Sequence, residues 1–168
     1  MLKIEDIQQA GERLQSVVFK TPLVEHSEFF DYSLFSKLEN LQKTGSFKIR
    51  GAYNKIASLS KEECKNGIIC ASAGNHAQGV GYAATLQKIK TTIVMPKYAP
   101  LAKIDATRKY DVEVILAGDT FNDAYQYAKE LQLSQGSTFI EPYDDLDVIA
   151  GQGTVALEIL EKQKSIDY

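Results

Sequence analysis

The chain has 168 residues, of which 44% are hydrophobic and 24% are charged, and its formal net charge at pH 7 is −3. This composition fits one globular domain with a sizeable core and argues against a largely disordered chain. The scattered basic residues and the slight net acidity disfavour a nucleic-acid-binding surface. The sequence contains no apolar run long enough to cross a membrane, and its charged, amphipathic N-terminus does not resemble a secretion signal. We therefore predict a cytoplasmic protein that binds neither membranes nor nucleic acid.

The two cysteines, Cys64 and Cys70, lack the spacing and the histidine partners of a zinc site. We interpret them as free thiols of an intracellular protein and predict no metal site. The candidate chemistry must then come from other residues.

Hydrophobic periodicity and turn residues predict alternating helices and strands. An opening amphipathic helix runs from Ile4 to about Val17 and ends before Thr21-Pro22, since a residue before proline avoids the helical region. Further helices are predicted over residues 47–59, 75–87, 102–110, 119–133 and 149–161, and strands over residues 35–39, 67–71, 91–95, 112–116 and 138–140. This alternation indicates an α/β fold, an open parallel twisted sheet with flanking helices. Ligands of such sheets bind beyond the carboxyl ends of the strands, so the loops there are the candidates for chemistry.

Lys48 is the first candidate, because it lies in residues 44–52 (TGSFKIRGA), where a glycine-led turn becomes a helix. On a helix over residues 47–59, Lys48 shares one side with apolar residues, whereas Arg50 projects nearly opposite. Burial and the positive end of the helix dipole would both lower the pKa of the lysine, which suits an amine that attacks a carbonyl group. The spacing also allows a lysine that extends along its alkyl stem to the surface.

Residues 71–79 (ASAGNHAQG) form the second candidate, a loop that follows a buried strand and opens a helix. Gly74 lets the backbone approach a ligand, and the free N–H groups of the first helical turn form an anion site. Ser72 and Asn75 add neutral donors, and the absence of acidic residues suits a carboxylate or a phosphate. The glycines match neither the dinucleotide-binding nor the ATP-binding pattern. A tight strand-to-helix turn without a ligand is the alternative on these residues alone.

Two further features have competing interpretations. His76 could act as an acid or a base, but its place at a positive helix end favours a neutral packing or hydrogen-bonding group. Residues 151–154 (GQGT) also precede a helical run and could cradle a phosphate. They lack a lysine and a strong preceding strand, so we expect close backbone packing there instead.

Four stretches together resemble the threonine dehydratase family of pyridoxal-phosphate enzymes, which share the fold of the tryptophan synthase β chain. The four stretches are residues 37–40 with 44–52, residues 71–79, Met95-Pro96 with Ala99-Pro100 and Lys103, and residues 148–154. They come in the family's order and spacing and extend over nearly the whole chain. The sulfide-using cysteine synthases have a different lysine motif and are a weaker match.

The resemblance implies roles for individual residues. Lys48 would bind pyridoxal 5'-phosphate covalently through its amine. Phe47 would pack beside the cofactor ring, and Asn75 would hydrogen-bond its phenolic oxygen. The substrate carboxylate would be held, partly through backbone N–H groups, by Ser72, Ala73, Gly74, Asn75 and His76.

The implied reaction is a β-elimination that converts L-threonine or L-serine to a 2-oxo acid and ammonia, with the freed Lys48 amine removing the Cα proton. Serine racemases carry a serine as a second base where this chain has Ala73. Dehydration is therefore favoured, and racemase activity is a weaker alternative. The family further implies a small amino-acid substrate and a homo-oligomer.

Family members continue for about as long again beyond Tyr168. The remainder would contain the glycine loop for the cofactor phosphate, the Ser or Cys facing the pyridine nitrogen, any cation ligands and any regulatory domain. By this resemblance, residues 1–43 belong to a large domain, residues 44–147 form a small α/β domain, and residues 148–168 begin the return to the large domain. The end segments would expose apolar faces unless they repack, self-associate or meet a partner.

Two alternatives follow from the chain's length. One is a truncated, catalytically inactive fragment with an intact small-domain fold, and the other is an interaction module that complements a separate large-domain chain. Two residues also depart from the family pattern: Asp111 replaces a usual glycine, which would cause strain at a positive φ, and Glu141 replaces a common histidine.

Overall fold

The computed structural model describes residues 1–166, which contain seven α-helices and six strands. The helices are α1 (Ile4–Leu14), α2 (Lys48–Ser58), α3 (Lys61–Cys64), α4 (Asn75–Gln87), α5 (Leu101–Arg108), α6 (Phe121–Gln135) and α7 (Leu146–Lys162). The strands are β1 (Leu23–Glu25), β2 (Phe35–Lys37), β3 (Ile68–Ala71), β4 (Thr91–Met95), β5 (Glu113–Leu116) and β6 (Thr138–Phe139). Within residues 1–166, none of the helices combines the length and the apolar character that a membrane span requires.

The central sheet has four parallel strands in the order β5-β4-β3-β6. Ile69 on β3 pairs with Thr92 on β4 and, on its other side, with Phe139 on β6. Val94 on β4 pairs with Ile115 on β5. The predicted α/β class, an open parallel sheet with flanking helices, is confirmed.

Helices cover both faces of this sheet, so its strand residues alternate between two apolar layers. The side chains that face α2, α4 and α5 are Ile68, Cys70, Ile93 and Met95. Those that face α6 are Ile69, Ala71, Val94 and Phe139. The sheet is therefore the middle layer of three, and its carboxyl edge is left to the loops.

Side-chain caps explain why two helices begin where they do. Thr120 and Asp123 form a capping box, so α6 begins at Phe121 rather than at the predicted residue 119. Asp145 accepts hydrogen bonds from the backbone N–H groups of Asp147 (2.9 Å) and Val148 (3.0 Å), so α7 begins earlier than predicted.

The strand predicted over residues 35–39 begins as predicted but ends two residues earlier, and its partner strand β1 was missed. The strand stops at Lys37 and pairs antiparallel with β1, while a 3-10 helix follows over Glu39–Leu41. The single-turn helix α3 was also not predicted. β1 and α3 are short and partly exposed, so they lack the buried apolar run that made the equally short β3 predictable.

Helix α2 is buried on two sides. Ala52 and Ile56 face the sheet core, whereas Arg50 and Asn54 face α1 and α7 and are also fully buried. Where α7 crosses α2, a Cβ built on Gly151 would lie 2.5 Å from the carbonyl oxygen of Arg50. The expected close backbone packing at residues 151–154 is therefore confirmed.

Asp111 does not adopt the strained conformation considered for it. Among the residues the structure describes, Lys88 at the end of α4 is the non-glycine residue with a positive φ (55°). The loss of a glycine at position 111 thus carries no backbone penalty of that kind.

Candidate active site

The strand order places a switch point at the carboxyl edge of the sheet, between β3 and β6, and we call the space between the loops there the crevice. From β3 the chain crosses through α4 to β4 on one side, whereas β6 lies on the opposite side of β3. Open α/β sheets bind ligands where the connections of adjacent strands diverge in this way. The loops that follow β3 and β6 both begin at this crevice.

The Lys48 side chain reaches the loop after β6 from the first turn of α2. Its Nζ atom donates a hydrogen bond to the carbonyl oxygen of Pro142 (2.8 Å) and lies 5.5 Å from the centre of the Phe47 ring. Burial lowers the pKa of this amine below its ordinary value of 10.5. Lys48 is thus half-buried and bonded inside the protein, and it does not extend freely to the surface.

The loop after β3 presents backbone N–H groups to the crevice. The N–H of Gly74 donates to the Ser72 hydroxyl (3.2 Å), and α4 begins at the next residue. The N–H groups of Asn75 and His76 have no acceptor within the helix, because they belong to its first turn. The residues from Ser72 to Gly79 carry no carboxylate, so the helix dipole is unopposed there by the loop itself.

His76 is a neutral, buried ring. Its Nε2 donates to the carbonyl oxygen of Ile140 (3.1 Å), and the residue is 3% exposed. Burial, with a further contribution from the charge of Lys48, lowers the pKa of His76 to about 4. The ring is uncharged near pH 7, which agrees with its interpretation as a hydrogen-bonding group rather than an acid or a base.

Gly79 allows helix α4 to pack closely against the turn that carries Lys48. A Cβ built on Gly79 of α4 would lie 3.0 Å from the carbonyl oxygen of Lys48 and 3.1 Å from the backbone nitrogen of Ile49. The absence of a side chain at Gly79 therefore lets α4 approach the turn that carries the lysine. The structure thus brings together Lys48, Phe47 and the 72–76 loop, as the sequence predicts.

Sequence reasoning missed the loop after β6 as part of this site. Two of its carbonyl oxygens, those of Ile140 and Pro142, accept the hydrogen bonds from His76 and Lys48. The place of this loop in the sequence could have indicated its role, because the loops that follow parallel strands converge at one edge of the sheet.

Sequence reasoning also missed the ion cluster around Arg50 on the far side of α2. Its guanidinium donates to both oxygens of Glu39 (2.9 and 2.8 Å) and to Glu158 (2.7 Å). Lys37 pairs with Glu158 as well. Burial alone would raise the pKa of Glu39, but hydrogen bonds from Arg50 and Thr21 hold it below the ordinary value. The cluster ties the lysine-bearing helix to the N-terminal segment and to α7.

Gln152 of α7 supports the same turn from another direction. Its Oε1 accepts a hydrogen bond from the N–H of Gly51 (3.0 Å), at the end of the first turn of α2. The N–H of Lys48 donates to the Ser46 hydroxyl (3.4 Å). Side chains outside α2 thus fix the turn from which the lysine projects.

Within residues 1–166, no group of three or more His, Cys, Asp and Glu side chains is arranged to hold a metal ion. The groups that line the crevice are an amine, hydroxyl and amide groups, backbone N–H groups and carbonyl oxygens. This set can bind an anion and can present an uncharged amine to a carbonyl compound.

Comparisons with known proteins give one consistent family. Residues 14–168 match the family described as pyridoxal-phosphate dependent enzyme. The chain is 51% identical over 170 residues to the L-threonine ammonia-lyase of Thermotoga maritima, covering 99% of this chain and 42% of that protein. It is 46% identical over 167 residues to the catabolic L-threonine dehydratase of Escherichia coli (strain K12). That match covers 98% of this chain and 51% of that protein.

Among solved structures, maize serine racemase superposes with a TM-score of 0.94 at 36% identity, covering 99% of this chain and 51% of that one. The chain therefore spans about half the length of these relatives. The resemblance to threonine dehydratases that the four sequence stretches indicate is confirmed.

Proposed function

Because the chain belongs to the pyridoxal-phosphate dependent enzyme family, we propose that Lys48 binds pyridoxal 5'-phosphate and that the whole protein is a threonine dehydratase. The observation that carries this proposal is the half-buried Lys48 amine in the crevice, with its pKa lowered by burial. A lowered pKa favours the uncharged amine that reacts with an aldehyde. The relatives named ammonia-lyase and dehydratase support this choice of reaction.

The residues around Lys48 fit this cofactor. Phe47 is 41% exposed beside the amine and offers a ring for packing against a planar pyridine. Asn75 is exposed at the start of α4 and supplies a neutral donor for the phenolic oxygen. A Cβ built on Gly74 would meet no atom within 4 Å, so there is room for a ligand beside that backbone. When bound, pyridoxal phosphate withdraws electrons and stabilises negative charge at the substrate Cα.

We assign the substrate carboxylate to the loop of residues 72–76. Backbone N–H groups of the first turn of α4 point out of the helix, where the dipole favours an anion. The Ser72 hydroxyl accepts the N–H of Gly74, which leaves its own proton free to donate. His76 contributes its backbone N–H, since its ring is held by Ile140. The proposed carboxylate residues are Ser72, Ala73, Gly74, Asn75 and His76.

The proposed reaction converts L-threonine or L-serine to a 2-oxo acid and ammonia by β-elimination. The Lys48 amine removes the Cα proton. Burial lowers its pKa and so favours the uncharged amine, the form that can accept a proton. The neutral His76 ring is a poor base, since its pKa is about 4.

Racemase activity is a second candidate, supported by the close superposition on maize serine racemase. It ranks below β-elimination because Ala73 has no hydroxyl group and cannot deliver a proton to the opposite face of the substrate. Formation of D-serine from L-serine would distinguish it from release of a 2-oxo acid.

A chain that folds but does not catalyse alone is another candidate, since it spans about half the length of its relatives. Several large apolar side chains near the β1-β2 hairpin and the end of α7 are exposed: Tyr32, Leu34, Leu160 and Ile166. A complementing chain or a second copy would cover them, so a homo-oligomer also stays a proposal.

We keep the division into residues 1–43, 44–147 and 148–168 as a proposal about domains. It is supported by the separation of the β1-β2 hairpin from the four-stranded sheet. It is further supported by the packing of α1 and α7 on the side of α2 that faces away from that sheet.

The deciding experiment is to add pyridoxal phosphate, reduce with borohydride and map the modified lysine by mass spectrometry. We expect an adduct at Lys48, its loss in Lys48→Ala, and its retention in Lys97→Ala, which removes an exposed lysine paired with Asp119. An adduct distributed over many surface lysines would contradict the cofactor proposal.

The same protein is then assayed for 2-oxo acid release from L-threonine and L-serine. Release that depends on Lys48 supports a dehydratase, whereas an adduct without product supports the inactive fragment. Release that survives Lys48→Ala would refute the assignment of the base.

A further inference from the structure

The loop after β6 presents its groups in two directions. The carbonyl oxygens of Ile140 and Pro142 accept hydrogen bonds from the ring of His76 and the amine of Lys48. The side chain between them, Glu141, is bonded instead to α6 on the other side of the loop.

Two donors from consecutive turns of α6 hold the Glu141 carboxylate. The Tyr125 hydroxyl lies 3.1 and 3.2 Å from its two oxygens, and Lys129 Nζ lies 2.8 Å from one of them. The Lys129 ammonium also lies 3.7 Å from the centre of the Phe139 ring on β6. The ring of Tyr125 packs edge-on against Phe139, with centres 5.3 Å apart. These contacts hold the Glu141 carboxylate in one position, and we call the bonds from Tyr125 and Lys129 to Glu141 the mount of the loop.

The loop needs such a mount because β6 is short. The strand has two residues, and its pairing with β3 extends only as far as the bond from the Ile140 N–H to the carbonyl oxygen of Ile69 (2.8 Å). Pro142 lies beyond that bond and has no N–H to contribute to a ladder. The position of its carbonyl oxygen therefore depends on how the preceding residue is anchored.

We propose that Glu141 is a positioning residue for Lys48: bound to Tyr125 and Lys129, it fixes the loop whose Pro142 carbonyl holds the lysine amine. The inference deepens the proposed function and rests on it for the importance of Lys48.

The test measures the pH profile of the Lys48 amine by competitive labelling with acetic anhydride, without pyridoxal phosphate. The charges of Lys48 and Glu141 both act on the His76 ring of α4, whereas burial is the cause of the lowered pKa of Lys48 itself. In Glu141→Ala the loop loses its mount and water replaces protein around Lys48. Because burial is the cause of the lowered pKa, the labelling midpoint should rise towards the ordinary value.

The variant Glu141→Gln distinguishes a role of Glu141 in positioning the loop from a direct effect of its negative charge on the Lys48 amine. The amide oxygen still accepts from Tyr125 and Lys129, so positioning predicts a midpoint like that of the unsubstituted protein. If Glu141 acted through its charge, both variants would lower the midpoint, because a nearby anion favours the ammonium form. A lowered midpoint in both variants, or an unchanged midpoint in Glu141→Ala, overturns the proposal.

Two further variants complete the design. Glu161→Ala removes an exposed carboxylate paired with Lys20 and should leave the Lys48 profile unchanged. The double variant Tyr125→Phe, Lys129→Met removes the mount from α6 and should reproduce the rise, which keeps the test decisive if Glu141→Ala fails to fold.

A second readout uses the cofactor. The rate of borohydride-trapped adduct formation at Lys48 should fall about fivefold in Glu141→Ala, the effect of losing one ordinary hydrogen bond, and recover in Glu141→Gln. If the unsubstituted protein forms no adduct, the proposed function fails while the labelling profiles still decide the role of Glu141.

Discussion

Gly151 and Gly51 are in backbone contact where α7 crosses α2: a Cβ built on Gly151 would lie 2.6 Å from the Cα of Gly51. Real Cβ atoms do not approach backbone atoms so closely, so any side chain at position 151 must push the two helices apart. The crossing also holds the turn that carries Lys48, because Gln152 caps that turn from α7.

We therefore expect Gly151→Ala to lower the free energy of unfolding by about 1–3 kcal/mol, the usual cost of overpacking. Urea denaturation followed by circular dichroism measures it. Gly11→Ala in α1 is the matched control, since its new Cβ would meet only Leu157 at 3.8 Å. That variant should be as stable as the unsubstituted protein or more so, because alanine favours a helix. Equal losses in both variants would contradict the steric argument.

His76 should make the protein lose stability as the pH falls. Its pKa is about 4 in the folded state against 6.5 when unperturbed, so its contribution is complete above pH 6.5 and is lost towards pH 4. The loss amounts to about 3 kcal/mol for a shift of this size. His76→Gln should lack this component, so the difference in unfolding free energy between the two proteins should change over that range. Parallel curves of stability against pH would show that the ring does not titrate as described.

Arg50 should be far more important for stability than an exposed ion pair. Its side chain is 1% exposed, and those of Glu39 and Glu158 are 12% and 16% exposed. Arg50→Met leaves these carboxylates without their main partner and should cost about 3–5 kcal/mol. Adding Glu39→Gln and Glu158→Gln should recover part of that loss, as measured by urea denaturation.

The control for Arg50 is Lys20→Met, which breaks the exposed pair with Glu161 and should produce no measurable change. A single Arg50→Met variant as stable as this control would mean that water reaches the two carboxylates.

The Lys48 amine should react at lower pH than an ordinary lysine. Burial lowers its pKa, so competitive labelling with acetic anhydride should reach its midpoint below 10.5. The pKa moves downwards because burial destabilises the charged ammonium form. Labelling in urea, where burial is lost, should return the midpoint to the ordinary value, and a midpoint that urea leaves unchanged would contradict this cause.

Two elements of the central sheet and its covering helices had predictable bounds. The bounds of β4 agree with prediction because the strand is buried throughout and Pro96 follows it. Those of α4 agree because a run of mostly small residues begins directly after Gly74. The place of Lys48 at the start of α2 was predictable because a glycine-led turn precedes it. The elements β1 and α3 were not, since they are partly exposed and contain no buried apolar run.

The partners of the site residues were less predictable. Pro142 follows Lys48 by 94 positions, and Glu158 follows Arg50 by 108. Such contacts depend on how helices and loops pack in three dimensions, which no local pattern encodes. The helical wheel correctly placed Arg50 opposite Lys48, but it could not reveal that this second side is also buried.

The double burial of α2 separates two timescales of motion at the site. Ile49 and Ala52 have no exposed surface, and Arg50 ties the same turns to α7, so the amide protons of α2 should exchange only when a large part of the fold opens. The Lys48 side chain needs only bond rotations to leave the Pro142 carbonyl, and such rotations take picoseconds to nanoseconds in side chains with room to move. The amine can thus change partners while the helix that carries it stays still.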